Sequence, residues 1–167
     1  PANANGIALF LVVIVEFALV GPVDRLADPA RQVRQALILS EFMAADESTL
    51  ADGDGQHSGW IEVHNPGPEA VDLAGWYLTD DERDLRRWRF PSGLGERTRL
   101  PAQGYLVVFA SGKVSSAADS GAASSGELHT NFRLTNDGEY LALVQPDGDT
   151  VSWAYDPLYP PQYEDVS

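Results

Sequence analysis

The fold class is decided by residues 132–155, FRLTNDGEYLALVQPDGDTVSWAY. Three short apolar runs alternate there with the turn sequences NDG (136–138) and PDGD (146–149), so the stretch predicts two successive β-hairpins. In the middle run, EYLALV (139–144), both alternating sets of side chains are apolar. A strand of that kind is buried on both faces, and we expect it to be central in its sheet.

The same pattern of short runs and turn residues continues upstream as far as Leu37. In WIEVHN (60–65), apolar and polar residues alternate, which is typical of a strand with one buried and one wet face. No stretch between 37 and 155 shows a sustained period of 3.6, so no helical crossover is expected. Eight or nine strands without helices predict an all-β antiparallel sandwich or small barrel. The upstream runs are 37–43, 60–65, 71–80, 86–93, 97–100 and 105–111.

Composition and charge exclude several classes of function. The 167 residues contain no cysteine, which excludes disulfides, thiolate metal sites and thiol catalysis. Lys and Arg number 11 against 25 Asp and Glu, so the formal charge is −14. Nucleic-acid binding is not expected, because it depends on neutralising phosphates with cationic side chains.

The N-terminal part differs in character from the rest of the chain. Residues 7–20, IALFLVVIVEFALV, are apolar except for Glu16 and are fewer than the roughly 20 that a bilayer-spanning helix needs. The run predicts a secretory signal or anchor remnant; a helix packed on a neighbour, a buried strand or a translation artefact are the alternatives. We therefore predict an extracellular or cell-envelope location, with any membrane contact made only through this segment.

The upstream runs, with the segment LHTNFRLTNDGEYL (128–141), resemble the lamin tail domain as it occurs in bacterial secreted proteins. The pairs Gly75-Trp76 and Phe90-Pro91 and the run 105–113 occur in the order typical of that family. The resemblance covers about residues 36–155 and implies an immunoglobulin-like β-sandwich. Lamins carry this domain behind a coiled-coil rod and a nuclear localisation signal, and neither precedes it here, so filament formation and nuclear targeting are not expected.

The predicted organisation has three parts. Residues 1–35 form an apolar signal-like or anchor-like segment and a linker, residues 36–155 the sandwich domain, and residues 156–167 a Pro-rich C-terminal linker. The last stretch includes YPPQYEDVS (159–167), which is similar to the segment that follows such domains in large bacterial extracellular proteins. That similarity implies a multi-domain parent protein, and an ordinary Pro-rich terminus is the alternative.

The acidic loop 46–59, DESTLADGDGQHSG, contains three candidate metal ligands. Asp46, Asp52 and Asp54 are carboxylates near Asp-Gly pairs, a composition that calcium loops share. An EF-hand would need further ligands where Gln56 and Val63 stand. Turn formation alone also explains Asp-Gly pairs, so a weak calcium site and a simple turn remain the two interpretations.

Catalysis is not expected from the three histidines, His57, His64 and His129, because none lies in a nucleophile elbow. An enzyme would require a deep pocket lined by at least one of them. We expect His129 and its neighbours Thr130 and Asn131 to shape a turn by hydrogen bonding.

Six of the eleven cationic residues lie between Arg83 and Arg99, next to Asp80, Asp81, Glu82 and Asp84. Pairing with these acids is the favoured interpretation. Contact with a phosphate, a sulfated glycan or an acidic partner is the alternative.

Together these observations predict a non-catalytic binding or spacer module without a cofactor. Its partners would be a protein or glycan surface, or neighbouring domains of the same chain. The alternative is a calcium-binding accessory domain that stiffens a multi-domain array.

Overall fold

The structure, a computed structural model, describes residues 36–113 and 126–167, and within these ranges the chain forms ten short strands. One 3₁₀ turn, Gly95–Arg97, is present, and this part of the chain contains no α-helix. The strands are β1 (Ile38–Met43), β2 (Trp60–His64), β3 (Val71–Asp72), β4 (Tyr77–Thr79), β5 (Trp88–Arg89), β6 (Arg99–Leu100), β7 (Tyr105–Phe109), β8 (Leu128–His129), β9 (Leu141–Val144) and β10 (Val151–Tyr155).

The strands form two four-stranded sheets and one two-stranded ribbon. The first sheet has the order β1-β2-β7-β8, the second the order β10-β9-β4-β5, and β3 pairs with β6. Every pair is antiparallel except β7 with β8, which is parallel. The predicted all-β, immunoglobulin-like sandwich is therefore confirmed, and its expected purely antiparallel pairing has this one exception.

The core lies between the inner faces of the two sheets. In β2, Ile61 and Val63 are completely buried while Glu62 and His64 are partly exposed, as the alternation predicted. All four residues of β9 are buried, and that strand lies between β10 and β4, which confirms its predicted central position. All four tryptophans pack in the interior or against it: Trp60 and Trp88 are buried, and Trp76 and Trp153 contact the core from its edge.

Two of the predicted strands differ from the structure. The run 71–80 divides into β3 and β4, because Gly75 adopts a φ of +88° and Trp76 N–H donates to the carbonyl of Leu73, which closes a turn. The run FRLT (132–135) forms only an isolated bridge, between Arg133 and Ser111. The expected first hairpin is thus absent: β9 pairs with β10 and β4 in the second sheet, whereas β8 pairs with β7 in the first.

The C-terminal residues 156–167 pack against the sandwich and belong to the same compact unit as the strands. The side chain of Tyr159 is 1% exposed and lies in the core, and its N–H donates to the carbonyl of Glu139 at 2.9 Å. Gly138 lies next to Tyr159 and has a φ of +89°. The Tyr159 carbonyl leaves no room for a Cβ at this position. The sequence predicted a Pro-rich linker here; in the structure one buried aromatic side chain, Tyr159, holds the segment against the sandwich.

The predicted N-terminal segment and linker, residues 1–35, lie outside the described residues. Within the described ranges no helix has the length and apolarity that crossing a membrane would require.

Candidate functional site

The acidic loop between β1 and β2 is organised by the carboxylate of Asp46. Its side chain is completely buried and accepts hydrogen bonds from the backbone N–H groups of Thr49 (2.9 Å) and Leu50 (3.0 Å). His57 Nδ1 lies 3.3 Å from the same carboxylate. Burial acts to raise the pKa of Asp46, but these hydrogen bonds outweigh it and hold the pKa below its ordinary value. Asp46 is thus an ionised internal support of the loop.

Asp52 and Asp54 meet at the tip of the loop, where they share a lysine. Lys113 Nζ lies 2.5 Å from Asp52 Oδ2 and 2.8 Å from Asp54 Oδ2. Asp52 Oδ1 also accepts the N–H groups of Asp54 and Gln56, both at 3.0 Å. Burial raises the pKa of Asp52, and the hydrogen bonds from Lys113 and the two amides lower it by more, so the pKa lies below its ordinary value. The ammonium group occupies the position between the carboxylates that a bound cation would take.

The three predicted calcium ligands are therefore not brought together. Asp52 and Asp54 converge on Lys113, whereas Asp46 binds Thr49 and Leu50 elsewhere in the loop. In residues 36–113 and 126–167, no group of three His, Asp or Glu side chains has an arrangement that could hold a metal ion. Sequence reasoning missed Lys113 because it is 61 positions from Asp52 and no local motif joins them.

His129 is buried beside this lysine and is paired with a serine. Its Nδ1 lies 3.0 Å from Ser111 Oγ, its ring stacks on Phe109 with centroids 5.3 Å apart, and the residue is 3% exposed. Burial lowers the pKa of His129, with the Lys113 charge acting in the same direction, so the imidazole is held neutral. A serine and a histidine at hydrogen-bonding distance resemble a nucleophile and its base, but this pair is enclosed and out of reach of a substrate.

The expected structural role of the LHTNF segment is supported by its hydrogen bonds. Thr130 Oγ1 donates to the carbonyl of Phe132 at 2.7 Å, which closes the turn after β8. Asn131 Nδ2 donates to the carbonyl of Arg87 at 2.9 Å. The His129 ring binds the Ser111 side chain and not the backbone, so it fixes the end of β7 against β8.

One cleft, of about 230 Å³, lies at this end of the sandwich and is open to solvent. His57 lines it, together with Arg133 and Glu164, so it has the histidine that an enzyme was expected to show. The cleft lacks the other groups that a catalytic site would need. The Oγ of the neighbouring Ser58 is buried, and in the described part of the chain no hydroxyl is hydrogen-bonded to the His57 ring. The cleft is also smaller than the roughly 300–1,000 Å³ of ordinary small-molecule sites.

The arginine-rich stretch pairs with acids only in part. Arg87 Nε lies 2.8 Å from Asp80 Oδ1, and Arg86 binds Asp149 in the β9–β10 turn at 3.1 Å. Arg89 instead lies over the ring of Tyr77, 5.8 Å from its centroid. The remaining arginines between 83 and 99 make no ion pair with any described residue.

The outer face of the first sheet carries a row of cross-strand pairs that is covered at one end and open at the other. At the covered end, Trp60 and Phe109 are opposite each other and packed under Leu50 of the acidic loop. At the open end, the rings of His64 and Tyr105 stack with centroids 4.2 Å apart and planes 7° from parallel. Tyr105 remains 58% exposed.

Only part of this open end, the outward-facing position of His64, could be predicted from the sequence. Alternation in β2 placed His64 on the wet face, but only the register of β2 with β7 puts Tyr105 opposite it. From the sequence alone, Tyr105 is simply one apolar residue of the predicted strand 105–111.

Comparison with family models finds that the lamin tail domain matches residues 31–156. Comparison with curated proteins finds no match, and neither does comparison with solved structures.

Proposed function

Because the chain belongs to the lamin tail domain family, whose immunoglobulin-like domains are generally non-catalytic, we propose that it is a binding or spacer module of a larger bacterial extracellular or envelope protein. It would act through contacts with a protein or glycan surface. The observation that carries the proposal is the exposed Tyr105–His64 stack on the outer sheet face, at a distance from the internally paired ionisable groups.

The pairing of the ionisable groups argues for binding and against bond chemistry. Asp46 and Asp52 are ionised and engaged with backbone amides and Lys113, and His129 is buried and neutral. Catalytic acids and bases need access to a substrate and a pKa near the working pH. These three groups instead stabilise the acidic loop and the contact between Ser111 and β8.

The exposed aromatic stack is well suited to recognition. Tyrosine is enriched in protein interfaces because it offers a large amphipathic surface with few rotatable bonds. Stacking on His64 holds the Tyr105 ring in place before any partner arrives, which reduces the entropy that binding would cost. An extracellular or envelope location is supported by the apolar run 7–20 of the sequence.

Co-sedimentation of the full 167-residue chain with purified bacterial envelopes tests this proposal. We expect the wild-type chain to be retained and the variant Tyr105→Ala to be lost. Tyr163→Ala is the matched control, since Tyr163 is 80% exposed and lies in the C-terminal segment. Absence of retention, or equal retention of Tyr105→Ala and the wild type, would count against the proposal.

A further inference from the structure

Two glutamates lie directly opposite each other on the outer face of the first sheet. Glu41 of β1 is in register with Glu62 of β2 across an antiparallel pair. Like charges in this position repel and destabilise the sheet. Glu62 Oε1 accepts the Ser40 hydroxyl at 2.6 Å, and Glu41 accepts that of Ser167. Within the described part of the chain neither carboxylate has a lysine or arginine partner.

The exposed aromatic stack adjoins these carboxylates. Glu62 is in register with Val107 of β7, and the next outward-facing pair along the same two strands is His64 with Tyr105. We call Glu41, Glu62, His64, Tyr105 and Val107 the acidic aromatic face. It extends over three neighbouring strands, about 10 Å across at the usual strand spacing.

We propose that the acidic aromatic face binds an extended peptide segment rich in arginine or lysine, an inference that rests on the proposed function. The long aliphatic stems of these side chains pack on apolar surface while their charged ends stay at polar groups. Val107 and Tyr105 offer the apolar surface, and the ring of Tyr105 also attracts a guanidinium. A cation between Glu41 and Glu62 removes their mutual repulsion.

A neutral glycan is the weaker fit to the same face. A sugar ring would stack on Tyr105 but would leave the two opposed carboxylates uncompensated. An acidic partner is opposed both by these carboxylates and by the formal charge of −14 on the chain. The charge of this face therefore selects a cationic protein segment among the possible partners.

Binding of a synthetic (Arg-Thr)₄ peptide to the full chain, followed by fluorescence anisotropy, tests the inference. We expect Glu62→Gln to weaken binding about threefold to fivefold, as for one exposed ion pair. The control Glu96→Gln makes the same change of charge at an exposed residue of the 3₁₀ turn, which is not one of the five residues of the face, and should change the Kd less than twofold. Tyr105→Ala should weaken binding by about the same factor as Glu62→Gln, as for an exposed cation–π contact, while Tyr163→Ala should leave it unchanged.

Equal losses for Glu62→Gln and Glu96→Gln would overturn the inference, because they would indicate only general attraction to an acidic chain. Binding of cellotetraose that depends on Tyr105, without binding of the peptide, would also overturn it in favour of a glycan. In that case retention on envelopes would persist, so the proposed function would stand. Peptide binding that resists both face variants likewise contradicts the inference. Thermal unfolding of each variant checks that it is folded.

Discussion

Tyr159 ties the C-terminal segment to the sandwich, and its removal gives a quantitative test of that packing. The single hydroxyl proton is shared between two acceptors, the carbonyl of Thr135 at 2.7 Å and Glu139 Oε1 at 2.9 Å. Tyr159→Phe keeps the ring in the core and leaves both oxygens without this donor. Glu139 Oε1 still accepts the Thr135 N–H, and the loss of the hydroxyl from a carbonyl and a carboxylate should cost about 1–3 kcal/mol. Tyr159→Ala also removes the buried ring and should cost about 3–5 kcal/mol.

The loss of unfolding free energy in Tyr159→Phe should also depend on pH. Burial raises the pKa of Glu139, and the Tyr159 hydroxyl opposes that rise by donating to the carboxylate. Without the hydroxyl, the folded-state pKa of Glu139 rises further, which penalises its charged form. Since a raised carboxyl pKa costs stability only where the group is ionised, the loss should be largest at neutral pH. It should shrink as the pH falls and Glu139 becomes protonated.

Urea denaturation at several pH values, read from tryptophan fluorescence, measures both effects. Tyr163→Ala is the control and should change the free energy of unfolding by no more than about 0.5 kcal/mol, because that side chain is 80% exposed. If Tyr159→Phe unfolds at the same urea concentration as the wild type, or if Tyr163→Ala is equally destabilised, the segment does not contribute to the core as argued.

Three further predictions concern the loop end of the sandwich. Millimolar calcium should not shift the thermal unfolding midpoint relative to chelator, because the Lys113 ammonium already lies between the Asp52 and Asp54 carboxylates. A stabilisation of about 2.7 kcal/mol, as for a site at 100 times its Kd, would support the calcium interpretation instead. Burial lowers the folded-state pKa of His129 below 6.5, so the unfolded chain binds more protons and stability falls as the pH drops below that value. His129→Gln, which can still bond Ser111, should reduce this fall in urea titrations, and an unchanged profile would contradict it. Gly59→Ala places a Cβ 2.8 Å from the Met43 carbonyl and should lower stability by about 1–3 kcal/mol; an unchanged melting temperature would refute that clash.

Local patterns in the sequence were sufficient for most of the fold. Alternation identified the buried residues of β2, and the PDGD turn identified the β9–β10 hairpin. The prediction of a hairpin at the NDG turn was wrong, because Gly138 leaves room for the Tyr159 carbonyl and does not close a hairpin. Phe132 and Leu134 are buried as the pattern required, but in a loop, since periodicity reports burial and not strand pairing.

The candidate site was much less predictable, because its contacts join residues that are distant in sequence. The carboxylates of Asp52 and Asp54 were found from composition, but their role depends on Lys113. The acidic aromatic face depends on the registers of β1 with β2 and of β2 with β7. Register is set by packing of the whole sheet, so no single stretch of sequence contains it.

The lysine at the loop tip also has a bearing on how this domain tolerates change in length. Lys113 binds Asp52 and Asp54, while Glu127 accepts the N–H of Gly53 at 2.7 Å, so both flanks of residues 114–125 are fastened to one three-residue turn. The entropic cost of closing a loop between fixed ends rises by only about 0.6 kcal/mol for each doubling of its length. An insertion made between Lys113 and Glu127 would keep both of its ends attached to residues 52–54, so its length should have little effect on the stability of the sheets.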